Sequence, residues 1–178
     1  MAIQQSDLLF KYTGAGSHNA AQASPAASLG GFRASSNVAA GDNNLFGDVD
    51  GAEAAAGSTK YRAVGFLNNH GTLSLTACVV WISADTGNAE DDISFAVEAP
   101  DNETTGVIQT IADEDTATTG LTYSDATSKA TGEDCPLESN EVDAGEWFGI
   151  WIRRIISASA AAAAAESATI RVEGDTAA

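Results

Sequence analysis

The sequence predicts an all-β protein: a β-sandwich, jelly-roll or immunoglobulin-like, with a long irregular N-terminal segment. Three observations lead there. Short segments with period-two hydropathy recur along the chain. Acidic, turn-forming loops separate them, among them DTGNAEDD at 85–92, PDNETT at 100–105 and ADEDTATT at 112–119. Only two short segments favour helix.

Taken in order, residues 3–12 (IQQSDLLFKY) read as a first strand. Residues 13–59 are rich in Gly, Ala, Ser and Asn and have no long apolar periodicity. So long an irregular stretch is unusual inside a compact domain. It is expected to be an extended arm or a set of ordered loops that find partners on another subunit, with disorder as the alternative. Its apolar anchors are Leu29, Phe32, Val38, Leu45, Phe46 and Val49. The expected organisation is therefore an N-terminal strand plus arm over 1–59 and a β-sandwich over 60–178.

Lys60 to Asn68 (KYRAVGFLN) is strand-like, and Asn68-Asn69-His70-Gly71 is a turn signature, because Asn and Gly tolerate positive φ. In Thr72 to Ser83, Leu73, Leu75, Ala77, Val79 and Trp81 share one face. The other face starts polar and turns apolar at Cys78, Val80 and Ile82, as in a strand entering a buried region or an interface. A β-hairpin is expected over 60–83. Further strands are expected at 93–98, 106–111, 146–156 and 168–173, with a weaker one at 121–123. AEAAA at 52–56 is too short to stand alone as a helix. The alanine-rich 158–167 has helix propensity, but it lies between two strands and reads as a long hairpin loop with at most one helical turn. Asp143-Ala144-Gly145-Glu146-Trp147 resembles the turn that enters a late strand in immunoglobulin-like folds. Trp147 replaces the tyrosine, so the turn role of Gly145 stays and the corner hydroxyl bond cannot form.

Charge narrows the partners. The 178 residues carry 8 Lys+Arg against 25 Asp+Glu, a net charge of −17, and the pI is about 4.1. Phosphate backbones need clustered cations, so nucleic acid is not an expected partner. An anionic membrane surface is disfavoured for the same reason. The N-terminus has neither a basic region nor an apolar core of the secretory type, and no segment reaches the length of a membrane span. A soluble protein made in the cytoplasm is expected. Cys78 and Cys135 form no CxxC and read as reduced, structural thiols.

Catalytic and metal motifs fare poorly. Asp42 to Glu53 (DNNLFGDVDGAE) follows an EF-hand loop at several positions, but Phe46 occupies a ligand position and no amphipathic helices flank it. Gly14-Ala15-Gly16 lacks the third glycine and the helix of a dinucleotide fingerprint. Carboxylate pairs such as Asp91/Asp92 are what so acidic a chain produces in solvated loops. His18 and His70 lie in a Gly/Ala loop and a turn, with no triad around them. No catalytic residue, cofactor or metal is expected. Arg153 and Arg154 end an apolar strand and must point to opposite faces, so one of them shares the Trp147/Trp151 face. There it is expected to meet a carboxylate or stack on a ring, with the strand at a subunit interface or, alternatively, the arginine emerging at the sandwich edge. Leu29, Phe32, Leu45, Phe46, Trp151, Arg153 and Arg154 are the interface candidates.

Several blocks together resemble a known group. They are NLFGDVDGAEAAAGSTKYR at 44–62, the Asn-Asn-His-Gly turn, Val80-Trp81-Ile82-Ser83, Gly145-Glu146, Trp151-Ile152-Arg153-Arg154, and Arg171-Val172-Glu173-Gly174-Asp175-Thr176. The chain resembles small β-rich structural proteins of the virions of tailed bacteriophages. The resemblance implies a capsid decoration (cement) protein that binds adjacent subunits of the major capsid protein, or alternatively a tail or baseplate accessory protein. It further implies a homo-oligomer, most simply a trimer, located in the virion and assembled in the host cytoplasm. It brings no catalytic residues. A carbohydrate-binding module for host attachment is the reading from another class, and it would need an exposed aromatic platform near acidic or amide groups.

Overall fold

The computed structural model describes residues 2–163 and 166–176. Its strands are β1 (Leu8–Ala15), β2 (Gly30–Asn37), β3 (Ser58–Asn68), β4 (Leu75–Ala84), β5 (Asp91–Glu98), β6 (Val107–Thr110), β7 (Glu133–Asp134), β8 (Glu141–Val142), β9 (Trp147–Ile156) and β10 (Thr169–Thr176), with one α-helix, α1 (Gly51–Ala56). They form two antiparallel sheets. The larger runs β5-β9-β3-β1-β2-β6, and the smaller runs β10-β4-β7, with β8 also on β4. The fold is all-β and sandwich-like.

β9 explains the architecture. Its sequence WFGIWIRRII is aromatic and β-branched, the composition that suits a pleated buried surface. It pairs with β3 on one edge and β5 on the other. Phe148, Ile150 and Ile152 enter the core between the sheets, against Val64 and Phe66 of β3, Phe95 of β5 and Cys78, Val80 and Ile82 of β4. Trp147 and Trp151 point the opposite way and build a second core with Ala63, Leu67, Ala96, Ile108 and Ile111. The strand is buried on both faces because the larger sheet curls and brings β6 over its outer side. Gly149 permits that approach, since a Cβ there would sit 2.7 Å from the Ile108 side chain. Gly30 does the same for Trp151, at 2.9 Å from Cζ2.

The hairpin expected over 60–83 does not form. Both edges of β3 are taken, by β1 and β9, while β4 belongs to the other sheet. The Asn-Asn-His-Gly segment is a corner between sheets. Asn68 Nδ2 donates to the Leu73 carbonyl at 2.8 Å and to the Val142 carbonyl at 2.9 Å, tying both sides of the corner. His70 Nδ1 accepts from the Thr72 and Leu73 amides, so this histidine shapes the turn. The 157–168 connection is likewise no hairpin loop: β9 and β10 lie in different sheets. Its described residues form no helix, and part of the alanine tract lies outside the described residues.

Within the N-terminal segment the chain is more regular than its composition suggests. Gly30–Asn37 is a strand between β1 and β6, so the larger sheet draws on residues from both sides of position 59. The first strand starts later than expected, after a 3-10 turn at Gln5–Asp7. The weak 121–123 strand reduces to a single bridge, Phe95 with Ser124.

The parity change inside β4 has a structural cause. Ala77 adopts φ 48°, and the β4–β10 register shifts between Glu173 and Asp175. One extra residue on β4 forms a β-bulge, which swaps the faces of everything after it. Leu75 therefore faces the core before the bulge, and Cys78, Val80 and Ile82 face it afterwards.

Candidate functional site

The acidic loop between β2 and α1 is built by small and turn-forming residues, yet it is anchored at four points. Leu45 is buried in the main core and Phe46 packs against it. The Tyr12 hydroxyl donates to the Asn44 carbonyl at 3.0 Å and accepts from the Ala39 amide at 3.2 Å. Arg154 supplies the strongest tie. Its Nη1 donates to the Gly47 carbonyl at 2.9 Å, its Nη2 lies 3.2 Å from Asp91 Oδ2, and its Cζ is 5.9 Å from the Phe46 ring centroid. The loop ends at Asp50, which caps α1 by accepting from the Glu53 amide at 2.8 Å. The segment that resembles an EF-hand is thus held by an arginine and a tyrosine. Among the described residues no group of three His, Cys, Asp or Glu side chains gathers to hold a metal ion.

Beside this loop runs a groove of about 1310 Å³, bounded by residues 41–51, the end of β9 and residues 159–163 and 166–170. Phe10, Leu45, Val64, Ile93, Ile152 and Ile170 give it an apolar floor. Asp42, Asp48, Asp50, Glu90 and Glu166 line its rim. Among its described lining residues the one guanidinium, Arg154, is already matched by Asp91. The groove can therefore bury apolar surface and attract positive charge. Among the described residues lining it, no nucleophile sits beside a base.

The rim continues at Glu53. Burial pushes its carboxyl up, but hydrogen bonds from Ser58 Oγ at 2.6 Å and from Lys60 outweigh this and hold it below the usual carboxylate range. Lys60 bridges Glu53 at 3.1 Å and Glu114 at 3.2 Å. Burial lowers its pKa, and the two carboxylates more than reverse that, so the ammonium is held above its ordinary value.

The interface candidates fall in three places. Leu45, Phe46 and Arg154 meet at the groove. Leu29, Trp151 and Arg153 lie on the other side of the sheet, and Phe32 packs with Tyr12 and Ala34. Trp151 is fully buried and donates its indole N–H to Glu98 at 2.6 Å, so it presents no surface to a partner. Arg153 shares its face, donates to Ser94 Oγ at 2.9 Å and stacks 4.7 Å from the Tyr123 ring centroid. Burial pushes the Tyr123 hydroxyl up to about 12. Trp147 is fully buried and Trp81 nearly so, with Arg171 over the Trp81 ring at 5.5 Å. Cys78 and Cys135 are free thiols, buried side by side, with the Cys135 amide on the Cys78 carbonyl at 2.9 Å. Their shared hydrogen bond and burial raise the Cys78 thiol far above its ordinary range.

Sequence reasoning missed Asp91 and Tyr12. Asp91 stood in an acidic run that reads as solvated loop, although it lies just before an expected strand and opposite Ile156 of β9. Tyr12 ended the first expected strand, and nothing local indicates that its hydroxyl reaches a loop 32 positions away. No family model, no curated protein and no solved structure matches this chain.

Proposed function

We propose that this chain is a structural component of a tailed-phage virion, a capsid decoration protein that binds adjacent subunits of the major capsid protein and acts as a homo-oligomer. The observation that carries the reading is the groove: an apolar floor under an acidic rim, on a protein whose tryptophans are turned inward. Such a surface suits a partner segment that brings apolar side chains and positive charge. The −17 charge suits the outside of a shell, away from packaged DNA. The buried tryptophans supply no exposed platform for a sugar ring, which disfavours the carbohydrate-binding reading.

Removing residues 1–45 is not a clean test, because it takes away β1, β2 and the Leu45 anchor together. Charge reversal at the rim is cleaner. Asp42→Lys with Asp48→Lys changes exposed positions only. The variant is expected to fold normally and to lose attachment to purified capsids. Wild-type decoration by a folded variant would overturn the groove reading. Labelled chain found on tails and absent from heads would instead favour the tail accessory alternative.

A further inference from the structure

The groove leaves one group of cations unexplained. Lys11 and Arg33 are 9% and 5% exposed. They lie on adjacent strands, Lys11 opposite Asn37 and Gly65, and Arg33 opposite Thr13. The Arg33 stem crosses Gly65, where a Cβ would stand 3.2 Å from Arg33 Cγ and 2.9 Å from the Trp147 ring. Among the described residues the ion pairs belong to Lys60, Arg62, Lys129, Arg154 and Arg171. Lys11 and Arg33 have none, in a chain with 25 acidic residues.

Their hydrogen bonds do not answer the charge. Lys11 Nζ donates to the Ser35 carbonyl at 2.8 Å. Arg33 Nη1 reaches only Asn19 Oδ1 and the Ala34 carbonyl, each at 3.4 Å. Arg33 Nε is buried without an acceptor, and so is His18 Nδ1 beside it. Arg62 makes the comparison useful. Its Nε is also buried and unpaired, but its Nη2 rests on Glu114. Two like charges held together at low exposure repel, and a buried charge is stable only when an opposite charge or several strong acceptors face it. Burial, and then Arg33, push Lys11 and His18 below their ordinary values, which is how a cationic cluster without its counter-charge behaves.

We propose that Lys11, Arg33 and His18, with Asn19 at the margin, form an oxyanion-binding site. The guanidinium fork suits the paired oxygens of a carboxylate or phosphate, and the ammonium adds a point charge beside it. The ligand's source is a free inorganic oxyanion or a carboxylate group. The site is separate from the groove and does not depend on the virion reading.

The test uses the intact chain and ¹H–¹⁵N spectra that resolve the arginine Nε–H signals. Sodium phosphate and sodium acetate are titrated separately at ionic strength matched with chloride. The Arg33 Nε–H signal is expected to shift saturably, with the Arg62 Nε–H as the unmoved control. Arg33→Met should abolish the saturable response, and Lys11→Met should weaken it several-fold. Saturation by phosphate alone assigns a tetrahedral inorganic anion, and saturation by acetate assigns a carboxylate. A wild-type Arg33 signal that drifts linearly with both salts, in step with Arg62, would overturn the proposal. That reading needs no variant to fold.

Discussion

Replacing Arg154 by Met tests how the groove is held. The side chains of Arg154 and Asp91 are 13% and 9% exposed, so this ion pair is mostly shielded from solvent. Removing one partner of a buried pair leaves an uncompensated charge and costs about 3–5 kcal/mol. That figure includes the bond from Nη1 to the Gly47 carbonyl, which fastens the acidic loop. At roughly 2–4 °C per kcal/mol for a chain of this size, the melting temperature should fall by about 6–20 °C. Asp91→Asn should cost less, because the Gly47 bond survives. The double variant Arg154→Met/Asp91→Asn should be more stable than the two single losses added together, since neither charge is then stranded. Urea unfolding followed by the buried tryptophans gives each value, and limited proteolysis reports whether residues 41–50 have loosened. A loss under about 1 kcal/mol for Arg154→Met, or strict additivity in the double variant, would refute the claim that the pair organises the groove.

Four further outcomes follow from the backbone and the rim. Gly30→Ala should destabilise by at least about 3 kcal/mol, because φ is +88° and the new Cβ meets the Gln109 carbonyl oxygen and the Trp151 ring. Gly16→Ala, in open space, should be neutral or slightly stabilising in the same melts. Ala77→Gly should stabilise by about 0.5–1 kcal/mol in urea, since the bulge holds an alanine at φ 48°. Glu53 has a folded-state pKa below its unfolded value, so its contribution is present at neutral pH. It should fade as pH drops below about 4.3 and through the lower folded value. Glu53→Gln should flatten that part of the stability–pH curve, and an unchanged acid limb would reject the assignment.

Local pattern identified most strands but could not assign them to sheets. β5, β6, β9 and β10 lie within a few residues of their expected places, because period-two hydropathy and β-branched composition report a strand wherever it pairs. The Asn-Asn-His-Gly turn was legible as a turn. What it joins was not, since that depends on β1 and β9 occupying the edges of β3. β2 was illegible for a different reason. GGFRASSN has small residues where a strand normally shows bulk, because β2 lies where the sheet curls and Gly30 must admit Trp151. The face switch at Cys78 was visible in the sequence, but a bulge and an interface leave the same trace. At the candidate site, Leu45, Phe46 and Arg154 could be singled out from sequence, whereas Asp91 could not, because a buried carboxylate looks like any other acid in an acidic run.

The cations show how the two kinds of information combine. Eight positive residues share the chain with 25 negative ones. Among the described residues, five of the eight form ion pairs. Arg154 and Lys60 fasten the acidic loop and α1 to the larger sheet, and Lys129 and Arg171 both meet Glu173 on β10. Arg153 has no carboxylate, but the Tyr123 ring and Ser94 receive it. Among the described residues, Lys11 and Arg33 alone combine low exposure, mutual repulsion and uncharged partners only. Lys11 lies on β1, whose neighbours β2 and β3 carry Gly30 and Gly65, so the backbone there is already shaped around the tryptophan core and the Arg33 stem. A cation kept in such a place against its desolvation cost is more informative than any of the exposed acids, because the exposed acids are accounted for by solvent and this one is not.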